Sequence, residues 1–342
     1  MKDYSKEFRA VDSKDRNMDI RTAYSELDDL FKAVKEYKNS KEYCQILAFC
    51  SKFKYMAPFN ALMVRIQRPG SSLLLTAKQW ERKYHRTIKP NARPVVILSY
   101  MPVSYLFDIS DTIEPEGCRN TDEQILNEIA HQFSIKEKVS EKDLNILIDN
   151  LSVLGIAYDS NFRAGGDFGA QIELLEKPTA IEIPLKKNHS FKYDVNYLIS
   201  VNSSLEIGAK YTAIMHELGH FFCHHLPSPI ASEKTKTRKL DKKEKEFEAE
   251  ATAWLVCERL NISNPSEKYL AGYLSQNEEV PDDISMGHIF KAHNEIWKLL
   301  FDKQYAKNSY LYRIDKEFKD IVDNISMGSR NKPAFPIQQT LF

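Results

Sequence analysis

The sequence predicts an α+β protein of two domains, and three observations carry that expectation. Its 342 residues suit two cores at about 150 residues per domain. Apolar residues recur at helical spacing over long stretches. Short unbroken apolar runs of strand type interrupt those stretches in both halves of the chain.

Taken in order, residues 1–18 are polar, and from Arg21 to about Gln67 the apolar positions follow a helical period. Leu27, Leu30, Phe31 and Val34 show it first, then Ile46, Leu47, Phe49 and Phe53. Pro58 suits the first turn of a further helix through Ala61, Leu62, Val64 and Ile66, which Pro69 and Gly70 end. Residues 72–76 and 94–100 read as strands, with a polar stretch from Trp80 to Arg93 between them. The acidic stretch 113–145 marks a boundary. Residues 180–184 and 198–201 read as strands, and a helix begins near Ala209. The charged run 232–245 reads as a solvated loop or helix start, followed by a helix over 246–260 and more helical pattern over 265–323. The tail, 324–342, reads as extended and disordered.

Composition narrows the function classes. The 48 basic and 48 acidic side chains balance, which excludes a wholly polybasic binder but leaves room for a local basic patch. No apolar run reaches the roughly 18 residues of a membrane span, and the charged N-terminus has no apolar signal core, so the expectation is a cytoplasmic protein without a membrane partner. Five cysteines without a Cys-x-x-Cys pair argue against a disulfide framework or a cysteine-based zinc ribbon.

The sharpest motif is His216-Glu217-Leu218-Gly219-His220. Two histidines four apart share a helical face and can reach one ion, while Glu217 projects beside it as a base for a bound water. Ile214, Leu218, Phe221 and Phe222 would bury the helix, and Gly219 admits a close neighbour. A catalytic zinc takes three protein ligands and keeps a fourth position open. Glu246 and Glu250 share a face of the next helix and offer a third ligand and a carboxylate that orients a histidine.

The HELGH helix, the charged gap and EFEAEATAWLV resemble the ImmA/IrrE-type zinc metallopeptidases and the C-terminal domain of ArdC-like antirestriction proteins. The resemblance implies a zincin-like domain over about 145–323, with an active-site helix against a small sheet. It implies one Zn2+ per chain on His216, His220 and Glu246, with Glu217 as general base and a protein or peptide as substrate. Glu248 is the alternative third ligand, and Glu250 and His224 are candidates for supporting roles. His225 reads as an ordinary surface histidine; Tyr273 and His224 are candidate oxyanion donors.

Residues 40–110 hold eleven Lys or Arg against three acids, a net +8, interleaved with Phe53, Tyr55, Phe59, Trp80, Tyr84 and Tyr100. Cations for phosphates and rings for base stacking are the chemistry of single-strand binding; the same pattern also suits a core of aromatics under a solvated lysine face. The order Asn60-Ala-Leu62, Gln67-Arg-Pro69, Gln79-Trp80, Arg86, Pro94 and Phe107-Asp108, then Ser110 and Thr112, resembles the ArdC-type N-terminal domain over about 20–115. That resemblance implies single-stranded DNA as partner, an antirestriction role on a mobile element, and Arg65, Arg68, Lys78, Arg82, Lys83 and Arg86 as phosphate contacts. The turn Lys89-Pro90-Asn91-Ala92 lacks the glycine of that family. Gln338, Leu341 and Phe342 in the tail resemble peptides that dock bacterial sliding clamps. Antirestriction by DNA occupancy, with a structural zinc, is the competing reading.

Overall fold

The computed structural model describes residues 28–29, 40–99, 103–114, 121–127, 138–163, 169–185, 189–228, 237–262 and 280–302. Most of the helical stretch before residue 40, Tyr100, Tyr273, the pattern beyond residue 302 and the clamp-like Gln338, Leu341 and Phe342 lie outside them. The fold mixes helices with small sheets and divides into two compact units, residues 1–137 with 277–280, and residues 138–276 with 281–342. Among the described residues no helix is long and apolar enough to cross a membrane.

The first unit contains helices α1 (Ser40–Lys52), α2 (Pro58–Gln67) and α3 (Ala77–Tyr84). Its strands are β1 (Leu74–Leu75), β2 (Thr87–Ile88), β3 (Val95–Leu98), β4 (Val103–Asp108) and β5 (Thr112–Ile113). An antiparallel sheet runs β1-β4-β3, and β2 pairs with β5. Thr76 starts α3 through a reciprocal capping box with Gln79. Trp80 is fully buried, packs its ring at a tilt against Tyr84 and donates its indole N–H to the Phe107 carbonyl at 2.8 Å, so it is core rather than a base platform. Phe53, Phe59 and Tyr84 are buried too, which leaves Tyr55 as the exposed ring among the described members of the stacking set.

Many of the polar motif residues in this unit hold the fold together. Asn60 and Gln67, two turns apart on α2, each bond a β3 residue with both ends of the amide. Asn60 donates to the Leu98 carbonyl at 2.8 Å and accepts from its N–H at 3.1 Å; Gln67 does the same to Val96 at 2.7 and 2.9 Å. Asp108 caps the short 3-10 helix Ile109–Asp111 and accepts from the Ser72 amide at 2.8 Å. Arg68 bonds the Asp111 carboxylate and the Ser110 hydroxyl.

Arg86 corrects the phosphate-contact expectation: it is 1 % exposed, bonded to Asp122 and Thr112, with Glu114 at 3.6 Å. A guanidinium held this way by its own chain has no face for phosphate. Arg68 is likewise committed to Asp111, and Arg65 lies over the Phe49 ring at 5.6 Å. Lys78, Arg82 and Lys83 remain exposed on α3.

The second unit is built on β6 (Ile156–Asp159), β7 (Ala170–Leu185) and β8 (His189–Val201), with helices α4 (Glu141–Val153), α5 (Ile207–Phe222), α6 (Lys242–Leu260) and α7 (Met286–Phe301). The sheet order is β6-β8-β7, with β6 parallel to β8 and β7 antiparallel to it. The two short strands expected at 180–184 and 198–201 are parts of this longer hairpin, which has a register shift between Leu174 and Thr179. Residues 141–145, expected in the polar boundary, are helical. Ser140 and Asp143 form a capping box there, and Leu144, Leu147 and Leu151 repeat toward the core.

Ile214, Met215 and Leu218 of α5 pack with Ile199 and Val201 of β8, Val256 of α6 and Ile296 of α7 in one core. The helices α5 and α6 touch backbone to backbone at Gly219. A Cβ there would sit 2.8 Å from both the Cα and the carbonyl oxygen of Ala249. The neighbour that Gly219 admits is therefore the helix carrying the carboxylates.

Candidate metal centre

The approach at Gly219 sets Glu246 and Glu250 opposite the two histidines. The Nε2 atoms of His216 and His220 lie 3.1 Å apart. Glu246 Oε2 lies 3.3 Å from the first and 3.7 Å from the second. Donors about 2.0–2.2 Å from one ion at tetrahedral angles stand roughly 3.3–3.5 Å from each other, so this triangle has the size of a zinc ligand set. Two imidazoles and one carboxylate also suit that ion chemically. Glu246 keeps 40 % of its side-chain exposure while Glu248 has none, so Glu246 is the carboxylate beside an open position.

Each histidine has its remaining nitrogen engaged. His216 Nδ1 meets Glu250 Oε2 at 2.9 Å, the orienting contact expected of a residue four after Glu246. Glu250 Oε1 is buried without a hydrogen-bond partner among the described residues. His220 Nδ1 meets His225 Nδ1 at 2.9 Å, and His225 Nε2 meets Glu248 Oε2 at 2.9 Å. Glu248 also accepts from Arg238 and, at 2.6 Å, from the Ser285 amide.

The electrostatics favour a cation in the triangle. Burial opposes charge on His216, yet hydrogen bonds to Glu246 and Glu250 push its pKa up to about 10. The two histidines hold the Glu246 carboxyl well below the usual range. Glu217 is 6 % exposed, and burial raises its pKa against the pull of His216 and His220, as a general base requires. Burial lowers the pKa of His225. Burial also opposes charge on Glu248, but hydrogen bonds from His225 and Arg238 outweigh it and lower its pKa.

Three sequence expectations change here. Glu248 is not on the ligand face; it lies buried beneath it. His224, a candidate for a supporting role, lies off the helical face of His216 and His220, because α5 ends at Phe222 and His224 adopts a left-handed φ of 61°. The His225 amide bonds the His220 carbonyl at 3.0 Å and the His224 amide bonds that of Phe221 at 3.3 Å, a Schellman turn that folds His225 back beneath His220. His225 is thus buried and in contact with the site rather than an ordinary surface residue. Arg238, in the run expected to be solvated, is its distant partner through Glu248. A helix-ending His-His pair after an H-E-x-x-H helix is a local signal for His225; Arg238 has none.

Residues 175–257 match the family model described as the IrrE N-terminal-like domain, Peptidase_M78. The matched segment runs from within β7 to within α6 and contains His216, Glu217, His220, Glu246, Glu248 and Glu250. It is similar to a metallopeptidase family of zinc-enzyme type. No curated protein and no solved structure matches the chain.

Proposed function

We propose that the chain is a zinc-dependent peptidase that hydrolyses a peptide bond in a protein substrate. The observation that carries the reading is the three-atom triangle of His216, His220 and Glu246 with a buried glutamate, Glu217, next to it in sequence. Zinc held by those three side chains would polarise a substrate carbonyl and lower the pKa of a water toward about 7. Glu217 takes the proton of the attacking water and passes it to the leaving amine, a role its raised pKa supports. Glu250 orients the His216 ring, and Gly219 sets the spacing that lets the α6 carboxylates face α5. The match to the Peptidase_M78 model supports the same chemistry.

Metal content, measured by mass spectrometry on the full chain, tests this. About one zinc per chain is expected in wild type and in Glu217→Gln, with loss in His220→Ala and Glu246→Gln. A folded wild-type chain without metal overturns the reading. The exposed Lys78, Arg82 and Lys83 of α3 support contact of the first unit with single-stranded DNA through phosphates. In that setting the peptidase would be localised by DNA, as on a mobile element; an antirestriction protein with a structural zinc would bind DNA equally well after Glu217→Gln.

A further inference from the structure

We infer that His225, Glu248 and Arg238 form a buried positioning chain that holds the His220 imidazole in one tautomer and one orientation, with its Nε2 lone pair turned to the ligand triangle. The inference rests on the zinc reading above but uses different residues. Glu248 is fully buried and receives three hydrogen bonds, from Arg238, from the Ser285 amide and from His225 Nε2. A carboxylate only accepts, so the proton between Glu248 and His225 sits on His225 Nε2. His225 turns its own Nδ1 to His220 Nδ1, 2.9 Å away, and a ligating histidine donates its second ring N–H to an outer partner, so His225 Nδ1 is the acceptor of the pair. Only one proton fits between those two nitrogens, and it belongs to His220. Its Nε2 is then the unprotonated nitrogen, the atom that stands 3.1 Å from His216 Nε2 and 3.7 Å from Glu246.

The anchoring is spread over three segments. The Schellman turn after α5 supplies His225. Arg238 lies ahead of α6, where its amide bonds the His224 carbonyl at 3.0 Å and its guanidinium the Asp283 carbonyl at 3.1 Å. Ser285 precedes α7. A second reading of the same residues, a metal site on Cys223, His225 and Glu248, is disfavoured although their donor atoms lie within 4.8 Å of one another. The Glu248 oxygens are occupied by donors, and a guanidinium bonded to the carboxylate would repel the ion.

The test needs the zinc-loaded full chain. Long-range proton–nitrogen NMR of the histidine rings is expected to find His225 protonated on Nε2 alone and His220 on Nδ1 alone. His225 protonated on Nδ1, or on both nitrogens, overturns the chain. Variants give an independent readout. His225→Gln keeps an acceptor toward His220 and a donor toward Glu248, whereas His225→Leu fills the space and keeps neither. In competition with a chromophoric chelator, His225→Leu is expected to bind zinc about 10–100-fold more weakly, with affinity restored in His225→Gln. The visible bands of the Co2+-substituted protein should shift and recover in parallel. Wild-type affinity and an unchanged Co2+ spectrum in His225→Leu overturn the positioning role and leave the zinc reading standing. Absence of zinc from the wild type overturns that reading itself. If His225→Leu does not fold, the wild-type NMR spectrum decides.

Discussion

In the first unit, Asn60, Gln67, Arg68 and Arg86 each meet groups of the opposite role: amide against backbone, guanidinium against carboxylate. In the second, two imidazole nitrogens and a carboxylate oxygen converge within 3.7 Å of one another, three atoms that can each offer a lone pair to one ion. Both regions are rich in motif residues. The difference lies in closure: a donor facing an acceptor completes a fold, while ligand atoms converging on one point leave a demand for a cation, be it a proton or a metal ion. Polar residues that persist in a pattern are therefore ambiguous until their partners are known, and Arg86 and His216 fall on opposite sides of that line.

The hardest break of this comparison is Glu217→Gln. Peptidase activity should fall about 10²–10⁴-fold with zinc content unchanged, since only the base is lost; retained activity would remove Glu217 from the role of base. Next, Gly219→Ala should push α6 away from α5, costing about 1–3 kcal/mol of stability. It should also lower zinc affinity, because the same contact sets the Glu246 distance; thermal unfolding and chelator competition measure the two effects together. Arg86→Ala should cost the first unit about 1–3 kcal/mol, its acidic partners being half exposed. The reversal of Lys78, Arg82 and Lys83 to Glu should leave thermal unfolding unchanged and flatten the salt dependence of single-strand binding. A reversed pattern, with Arg86 affecting only DNA affinity, would erase the contrast.

A pH-dependent effect concerns His288, whose pKa is lowered to about 4 by burial and by the nearby charge of Arg238. The unfolded chain takes up this proton first, so the stability it contributes is present above pH about 6.5 and is lost as pH falls toward 4. His288→Asn keeps an acceptor for the Ser285 hydroxyl and should flatten that part of the pH–stability curve, read by denaturant unfolding.

What could be read in advance follows from range in sequence. His216, Glu217, His220, Glu246 and Glu250 were legible because a helix fixes which residues share a face at spacings of four. Glu248 was not, because one helix alone does not say which neighbour covers its other side. His225 escaped since α5 stops before it, and the turn that returns it depends on a left-handed His224 rather than a glycine. Arg238 is ordinary in a lysine-rich run until the fold brings Glu248 to it. In the first unit the partners of Asn60 and Gln67 stand 38 and 29 residues away on a strand, so the motif alone did not tell that they fasten a helix to it. The β6 strand, four residues long, carried too little pattern to be seen.

The pairing of Asn60 and Gln67 with β3 has a consequence for how this protein behaves among copies of itself. A sheet margin with free amides and carbonyls templates the addition of a foreign strand. Here two amide side chains saturate the margin at Leu98 and Val96 without lending a backbone of their own. Replacing both with Leu would leave the helix intact and turn that margin into a site for strand addition, so the first symptom of their loss would be concentration-dependent self-association.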